Sequence, residues 1–261
     1  MQILNRSVSV DSFFDRLSGA GSCLLMLDYD GTLAPFVVDR DKAVPYQGVR
    51  ERIKTLAGSE RTRLVIVSGR EIKRLQILLA IEPAPELFGC HGAERYHPIS
   101  GTEIVGLTEV AGKQLHEIRD WASQMGLVAR LETKPTSVAF HIRGMPETEA
   151  QTLMELVRDR WSPDLEKHDL LLHEFDGGME IRLAGVTKGD VVKLLLKQMP
   201  DDTVAAYLGD DRTDEDAFAA LGHAGLKVLV RAKQRDSAAD ISISPPDELL
   251  QFLDRWISAT I

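Results

Sequence analysis

The sequence predicts an α/β fold, a doubly wound parallel sheet with an inserted α+β domain, on three observations. Short, largely apolar runs recur along the chain, amphipathic stretches lie between them, and the middle of the chain changes to an alternating pattern. The runs at 24–27, 64–67, 204–208 and 226–230 are the pattern of strands buried on both faces, as in a parallel sheet. The stretches 48–56, 71–79 and 189–199 carry apolar residues at helical spacing and read as crossover helices. Strands alternating with helices imply an open sheet whose ligands bind beyond the carboxyl ends of the strands.

The stretch 107–183 has another rhythm. Leu115, Ile118, Trp121, Ala122 and Met125 fall on one helical face, and Leu153, Leu156, Val157 and Trp161 on another. In 137–143, Val138, Phe140 and Ile142 alternate with Ala139, His141 and Arg143; the same alternation returns in 179–183 after an Asp176-Gly177-Gly178 turn. Two helices on a one-sided antiparallel sheet follow. This reading makes 107–183 a substrate-choosing cap inserted into a core domain of 1–106 and 184–261.

At 261 residues, 44% hydrophobic and 27% charged, the chain has the composition of a globular protein with a full core. Its 31 basic against 40 acidic side chains give a formal charge of -9, which speaks against nucleic acid, whose binding rests on clustered Lys and Arg. A small anionic ligand needs only a local positive pocket or a bound cation. No segment approaches the roughly 18 uninterrupted apolar residues of a membrane span, and the amino terminus lacks a basic region followed by an apolar run. Cys23 and Cys90 lack the paired spacing of a zinc site and read as buried thiols. A cytoplasmic, reducing location is the resulting expectation.

The strongest chemical signal is Asp28-Tyr29-Asp30-Gly31-Thr32, directly after the first apolar run. Alternate side chains on a strand point the same way, so Asp28 and Asp30 can come near one spot. Two such carboxylates repel unless a proton or a metal separates them, and their surroundings can split them into a nucleophile and an acid-base. Gly31 and Thr32 suit a tight turn with an exposed amide. Ser68-Gly69-Arg70 follows the second run, where a hydroxyl and free amides at a helix start can hold phosphate oxygens. Alone, that tripeptide is a common capping turn; its place at a strand end gives it weight.

Lys188 precedes an amphipathic helix, where the helix dipole disfavours a cation. An ammonium there suits another task, neutralising a nucleophile and a phosphoryl group together. After the third run, Asp210, Asp211, Asp214, Glu215 and Asp216 put five acids into seven residues. Magnesium prefers such oxygen ligands, while part of the cluster serves to start a helix. Asp210 is the expected ligand, with Asp211 and Asp214 orienting the shell or Lys188.

In this order, carboxylate pair, hydroxyl, lysine and acidic cluster, the segments resemble the haloacid dehalogenase superfamily of phosphotransferases over about two thirds of the chain. The resemblance implies a haloacid dehalogenase-like core in which Asp28 forms an aspartyl phosphate, while Asp30 protonates the leaving alkoxide and then deprotonates water. It implies Mg2+ bound by the Asp28 carboxylate, the Asp30 carbonyl and Asp210, with Thr32, Ser68, Gly69 and Lys188 on the phosphate. On the inserted domain, Glu132 and Lys134, His141 and Arg143, and Glu180 and Arg182 occupy alternate positions. Such a face can hydrogen-bond sugar hydroxyls; alternation alone equally suits a solvated face.

The stretches 27–33, 89–94, 134–143 and especially 208–218, with its Gly-Asp-Asp-Arg-Thr-Asp-Glu-Asp-Ala-Phe run, are similar to the trehalose-6-phosphate phosphatases. That similarity implies hydrolysis of trehalose 6-phosphate, a small phosphosugar, with Glu132, Lys134, Arg143 and Glu180 on the glucose units and Arg70 and His91 as further substrate contacts. It also implies functional coupling to a trehalose-phosphate synthase. His91, at a strand end, suits a structural donor too. A phosphatase for sucrose phosphate or a mannosyl phosphoglycerate would share the Asp28 chemistry and differ in the cap. Four intact catalytic segments speak against an inactive sugar-phosphate-binding module.

Overall fold

The computed structural model describes residues 1–37, 39–175, 177–233 and 235–261. It divides into two compact units, Met1–Glu103 with Thr187–Ile261, and Ile104–Val186. The chain begins with β1 (Gln2–Ile3), α1 (Val10–Gly19), β2 (Cys23–Asp28), α2 (Val49–Ala57), β3 (Thr62–Val67), α3 (Ile72–Leu79), β4 (Glu86–Gly89), β5 (Glu94–His97) and β6 (Gly101–Ile104). The insertion adds α4 (Glu109–Gln124), β7 (Leu131–Lys134), β8 (Ser137–His141), α5 (Glu147–Trp161), β9 (Leu170–Phe175) and β10 (Gly178–Leu183). It is followed by α6 (Lys188–Gln198), β11 (Val204–Gly209), α7 (Thr213–Leu221), β12 (Gly225–Val230), β13 (Ile241–Ile243) and α8 (Asp247–Thr260).

Among the described residues, nine strands form one sheet in the order β1-β13-β12-β11-β2-β3-β4-β5-β6. From β13 to β4 the pairs are parallel. The four apolar runs lie in β2, β3, β11 and β12, and the three amphipathic stretches in α2, α3 and α6. Two-sided burial is the reason. Leu25, Leu27 and Ile66 pack with Ile53 of α2, Leu75 of α3 and Leu253 of α8, while Leu24, Met26 and Val67 pack with Val192 of α6 and Phe218 of α7. Each such side chain contributes about 1.5–3 kcal/mol on burial, so both faces are given mainly to apolar packing. Chemistry is left to the strand ends.

The inserted unit is a four-stranded sheet, β7-β8-β10-β9, antiparallel at every junction. One face is apolar: Val138, Phe140, Met179 and Ile181 are fully buried, and Trp121 of α4 packs edge-on against Phe140 and against Trp161 of α5. The register aligns Glu132, Ala139, Glu180 and His173 across the four strands, so they share the opposite face. Three expectations need adjusting. Met125 caps α4 and is 50% exposed, because the helix ends there, and Leu156 is 38% exposed, because it lies at the margin of the stripe that Leu153, Val157 and Trp161 bury. β8 stops at His141, leaving Ile142 and Arg143 outside the strand. Asp176, expected in the turn, lies outside the described residues.

Candidate active site

Asp28 is the last residue of β2 and is buried. Tyr29 turns into the core, where its hydroxyl donates to the Ala43 carbonyl at 2.6 Å. The chain then folds back on itself: Leu33 N and Ala34 N donate to the Tyr29 carbonyl at 2.9 and 3.0 Å, and Gly31 N to the Ala34 carbonyl at 2.8 Å. Gly31 holds a left-handed φ of 84°, and a Cβ there would collide with the Asp210 carboxylate. Both facts require glycine.

Lys188 opens α6. Thr187 and Asp190 form a reciprocal capping box that fixes the helix start. From there Lys188 Nζ donates to Asp28 Oδ1 at 2.6 Å and to Asp214 Oδ1 at 2.7 Å. Asp214 lies in the first turn of α7, and its carboxylate reaches back. Its Oδ2 accepts from Asp210 N at 3.0 Å and Asp211 N at 2.9 Å, and its Oδ1 also accepts the Tyr207 hydroxyl at 2.7 Å. Four donors occupy Asp214, so it organises Lys188 and the acidic loop. The tyrosine was hidden inside an apolar run; a buried hydroxyl that must find a partner was the available signal.

Among the described residues, Asp28, Asp210 and Asp214 form a buried acidic group with oxygens within 4.8 Å of one another. Burial works against the Lys188 ammonium, but Asp214 and Asp28 outweigh it and hold it charged. Burial pushes the Asp28 carboxyl well above the usual range, against the pull of Lys188. It also pushes Asp210 up to about 7, with Asp214 adding to the effect. Three carboxyl groups around one ammonium carry surplus negative charge once all are ionised, and without a cation they hold on to protons instead. In addition, the buried Asp210 Oδ1 and Thr32 Oγ1 have no hydrogen-bond partner. Hard oxygen donors, one of them unsatisfied, fit a magnesium ion.

Ser68 is buried beyond the end of β3, with its Oγ accepting the Arg70 amide at 3.1 Å. Its main chain donates to the Phe88 carbonyl at 2.8 Å and accepts from His91 N at 2.9 Å. A Cβ on Gly69 would approach the His91 ring to 2.7 Å, so this glycine makes room for His91, itself at a left-handed φ of 60°. Arg70 is buried and forks onto Asp30, Nε to Oδ2 at 2.7 Å and Nη2 to Oδ1 at 2.6 Å. Asp211 takes part through its main chain.

Within the inserted unit, Lys134 Nζ and the Ser137 hydroxyl both donate to Glu180 Oε1, at 2.8 and 2.6 Å. Lys134 and Glu180 are only 6% and 5% exposed, which removes the solvated-face reading for them. Glu132 Oε2 pairs with His141 Nε2 at 2.8 Å. The Arg143 carbonyl accepts from Arg130 at 3.0 Å. Ser137 and His173 join this polar face without having been singled out by sequence, since a serine and a histidine in an alternating strand carry no distinct signal.

A family model described as trehalose-phosphatase matches residues 26–247. The trehalose-phosphatase of Schizosaccharomyces pombe is 28% identical over 90% of this chain and 31% of its own length. Trehalose-phosphate phosphatase B of Arabidopsis thaliana is 29% identical over 97% of this chain and 71% of its own. The bifunctional trehalose-6-phosphate synthase/phosphatase of Thermoproteus tenax is 32% identical over 85% of this chain and 30% of its own. The chain therefore spans about a third of the yeast and archaeal relatives and about seven tenths of the plant one. Among solved structures, the C-terminal domain of Candida albicans trehalose-6-phosphate phosphatase has a TM-score of 0.77 at 19% identity, covering 99% of both chains, a likeness of fold.

Proposed function

The chain belongs to the trehalose-phosphatase family, and we propose that it hydrolyses trehalose 6-phosphate to trehalose and inorganic phosphate through Asp28. The observation that carries this reading is the buried Lys188 ammonium, held between Asp28 and Asp214 beside a partnerless Asp210 oxygen. Phosphoryl transfer asks a protein mainly for alignment and charge stabilisation, and this group offers both.

An Asp28 carboxylate oxygen attacks phosphorus as the bond to the sugar oxygen breaks, and Asp30 gives its proton to that departing oxygen. Water then attacks the phosphorus of the aspartyl phosphate and passes a proton to Asp30, so that phosphate leaves and the Asp28 carboxylate is restored. Lys188 offsets the charge on Asp28 and on the phosphoryl oxygens, which Thr32, Ser68 and Gly69 also hold. Asp28, the Asp30 carbonyl and Asp210 would hold Mg2+, which when bound supplies Lewis-acid neutralisation of the phosphoryl group. The Arg70 fork keeps the Asp30 carboxylate in place before substrate arrives.

In this proposal Glu132, Lys134, Arg143 and Glu180 of the inserted unit contact the glucose units, with Arg70 and His91 as further contacts. Their mixture of donors and acceptors supports a polyhydroxylated ligand. Functional coupling to a trehalose-phosphate synthase is supported by the Thermoproteus tenax relative, which carries both activities in its name. No described helix is long and apolar enough to cross a membrane.

The test is phosphate release from trehalose 6-phosphate beside glucose 6-phosphate and sucrose 6-phosphate, with Mg2+ and with a chelator. Release should be fastest from trehalose 6-phosphate and should stop with the chelator. Equal rates on the three esters would remove the substrate assignment, and undiminished release in chelator would remove the magnesium.

A further inference from the structure

The peptide of Asp210 is held from two directions. Its N–H donates to Asp214 Oδ2 at 3.0 Å. Its carbonyl accepts from two arginines that follow β12, Arg231 Nη1 at 3.3 Å and Arg235 Nε at 3.2 Å. Arg235 continues along the loop: Nη2 donates to the Asp211 carbonyl at 2.7 Å, and Nη1 donates to the Asp236 carbonyl at 2.9 Å and pairs with Glu215. The other Glu215 oxygen accepts from Ala238 N at 2.9 Å, which ties the segment back to α7. One planar guanidinium therefore bridges two successive carbonyls of the acidic loop and a carboxylate in the first turn of the helix.

Five acids in 210–216 repel one another, so a loop that aims one of them needs counter-charge in fixed places. A lysine could supply the charge, but a single point donor cannot span two carbonyls and a carboxylate. An isolated, partly exposed Arg–Glu pair would contribute little. Here most of the donors go to main chain, two of them to the carbonyl of Asp210, whose buried Oδ1 has no partner.

We propose that Arg235, assisted by Arg231, is a positioning residue that sets the affinity of the Asp210 loop for a divalent cation. It acts through the Asp210 and Asp211 peptides and touches no reacting atom. The inference rests on the magnesium reading above and adds two residues that this reading does not use.

The experiment is calorimetric titration of the metal-free full chain with Mg2+, with circular dichroism to establish that each variant is folded. The wild type should bind and Asp210→Asn should not. Arg235→Ala should bind roughly tenfold more weakly, the effect typical of removing a partner of a metal ligand. Arg235→Lys should stay within about threefold of the alanine variant, because charge without the fork does not hold both carbonyls. A wild type that binds no Mg2+ overturns the magnesium reading together with this one. Binding that is lost in Asp210→Asn but unchanged in Arg235→Ala overturns only the role of Arg235. If Arg235→Ala does not fold, Arg235→Lys and Arg231→Met decide the matter, and wild-type affinity in both overturns the proposal.

Discussion

The buried ion pairs of the two units have nearly the same geometry and different surroundings. Lys188 meets Asp28 at 2.6 Å and Lys134 meets Glu180 at 2.8 Å, each with both side chains almost fully buried. Around Lys188, however, one ammonium serves two carboxylates with a third, Asp210, close by. At Glu180, an ammonium and a hydroxyl both reach the same carboxylate oxygen. In the proposed function the first cluster, with more carboxyl groups than ammoniums, takes a cation and a charged ester, and the second exchanges hydrogen bonds with neutral hydroxyls.

This contrast can be broken by substitution. Asp28→Asn should have the largest effect on activity, a loss of at least about 10³-fold in phosphate release with the fold kept, because it removes the proposed nucleophile at nearly constant volume. Turnover at the wild-type rate would end that role for Asp28. Lys188→Met should come next, losing activity and about 3–5 kcal/mol of stability in denaturant titration, since Asp28 and Asp214 lose their shared counter-charge. Lys134→Met should cost less, about 1–3 kcal/mol, because the Ser137 hydroxyl still donates to Glu180. Equal losses at the two lysines would show that charge balance is not what separates the clusters.

pH sharpens the comparison. Asp210 is pushed up to about 7 by burial and then by Asp214, from an ordinary value near 4. A raised acid lends the metal-free fold stability that is complete below the unfolded value and lost as the pH rises through the folded one. The metal-free chain should therefore lose stability between about pH 4 and 7 in thermal melts. Over the same window Mg2+ should bind more tightly as Asp210 gives up its proton, and calorimetry showing no change across it would contradict this. The smallest effect is expected at the partly exposed Glu132–His141 pair: Glu132→Gln should change stability by less than about 1 kcal/mol, and its main readout is KM for trehalose 6-phosphate.

Much of the architecture was legible in sequence because it depends on local pattern. β2, β3, β11 and β12 are largely apolar because both faces are covered, and β8 and β10 alternate because only one of their faces packs on apolar side chains. The edge strands were not legible: β1 is exposed along its length and β6 nearly so. They are strands by virtue of the neighbour they pair with. At the site, Asp28, Lys188, Asp210 and Asp214 stood out by residue type at a strand or helix end. Tyr207 did not, since a tyrosine in an apolar run looks like any other core residue, and neither did Arg231 and Arg235, since two arginines after a strand are ordinary surface composition.

The sequence by itself determined the central buried strands, the helices that cross between them, and which carboxylates stand where strands end, because periodicity and end signals act over a few residues. Only the tertiary structure decided the partners. Lys188 meets Asp28 across 160 residues and Arg70 meets Asp30 across 40. Such pairs are set by which strands lie side by side in the sheet, and no local pattern of side chains carries that information.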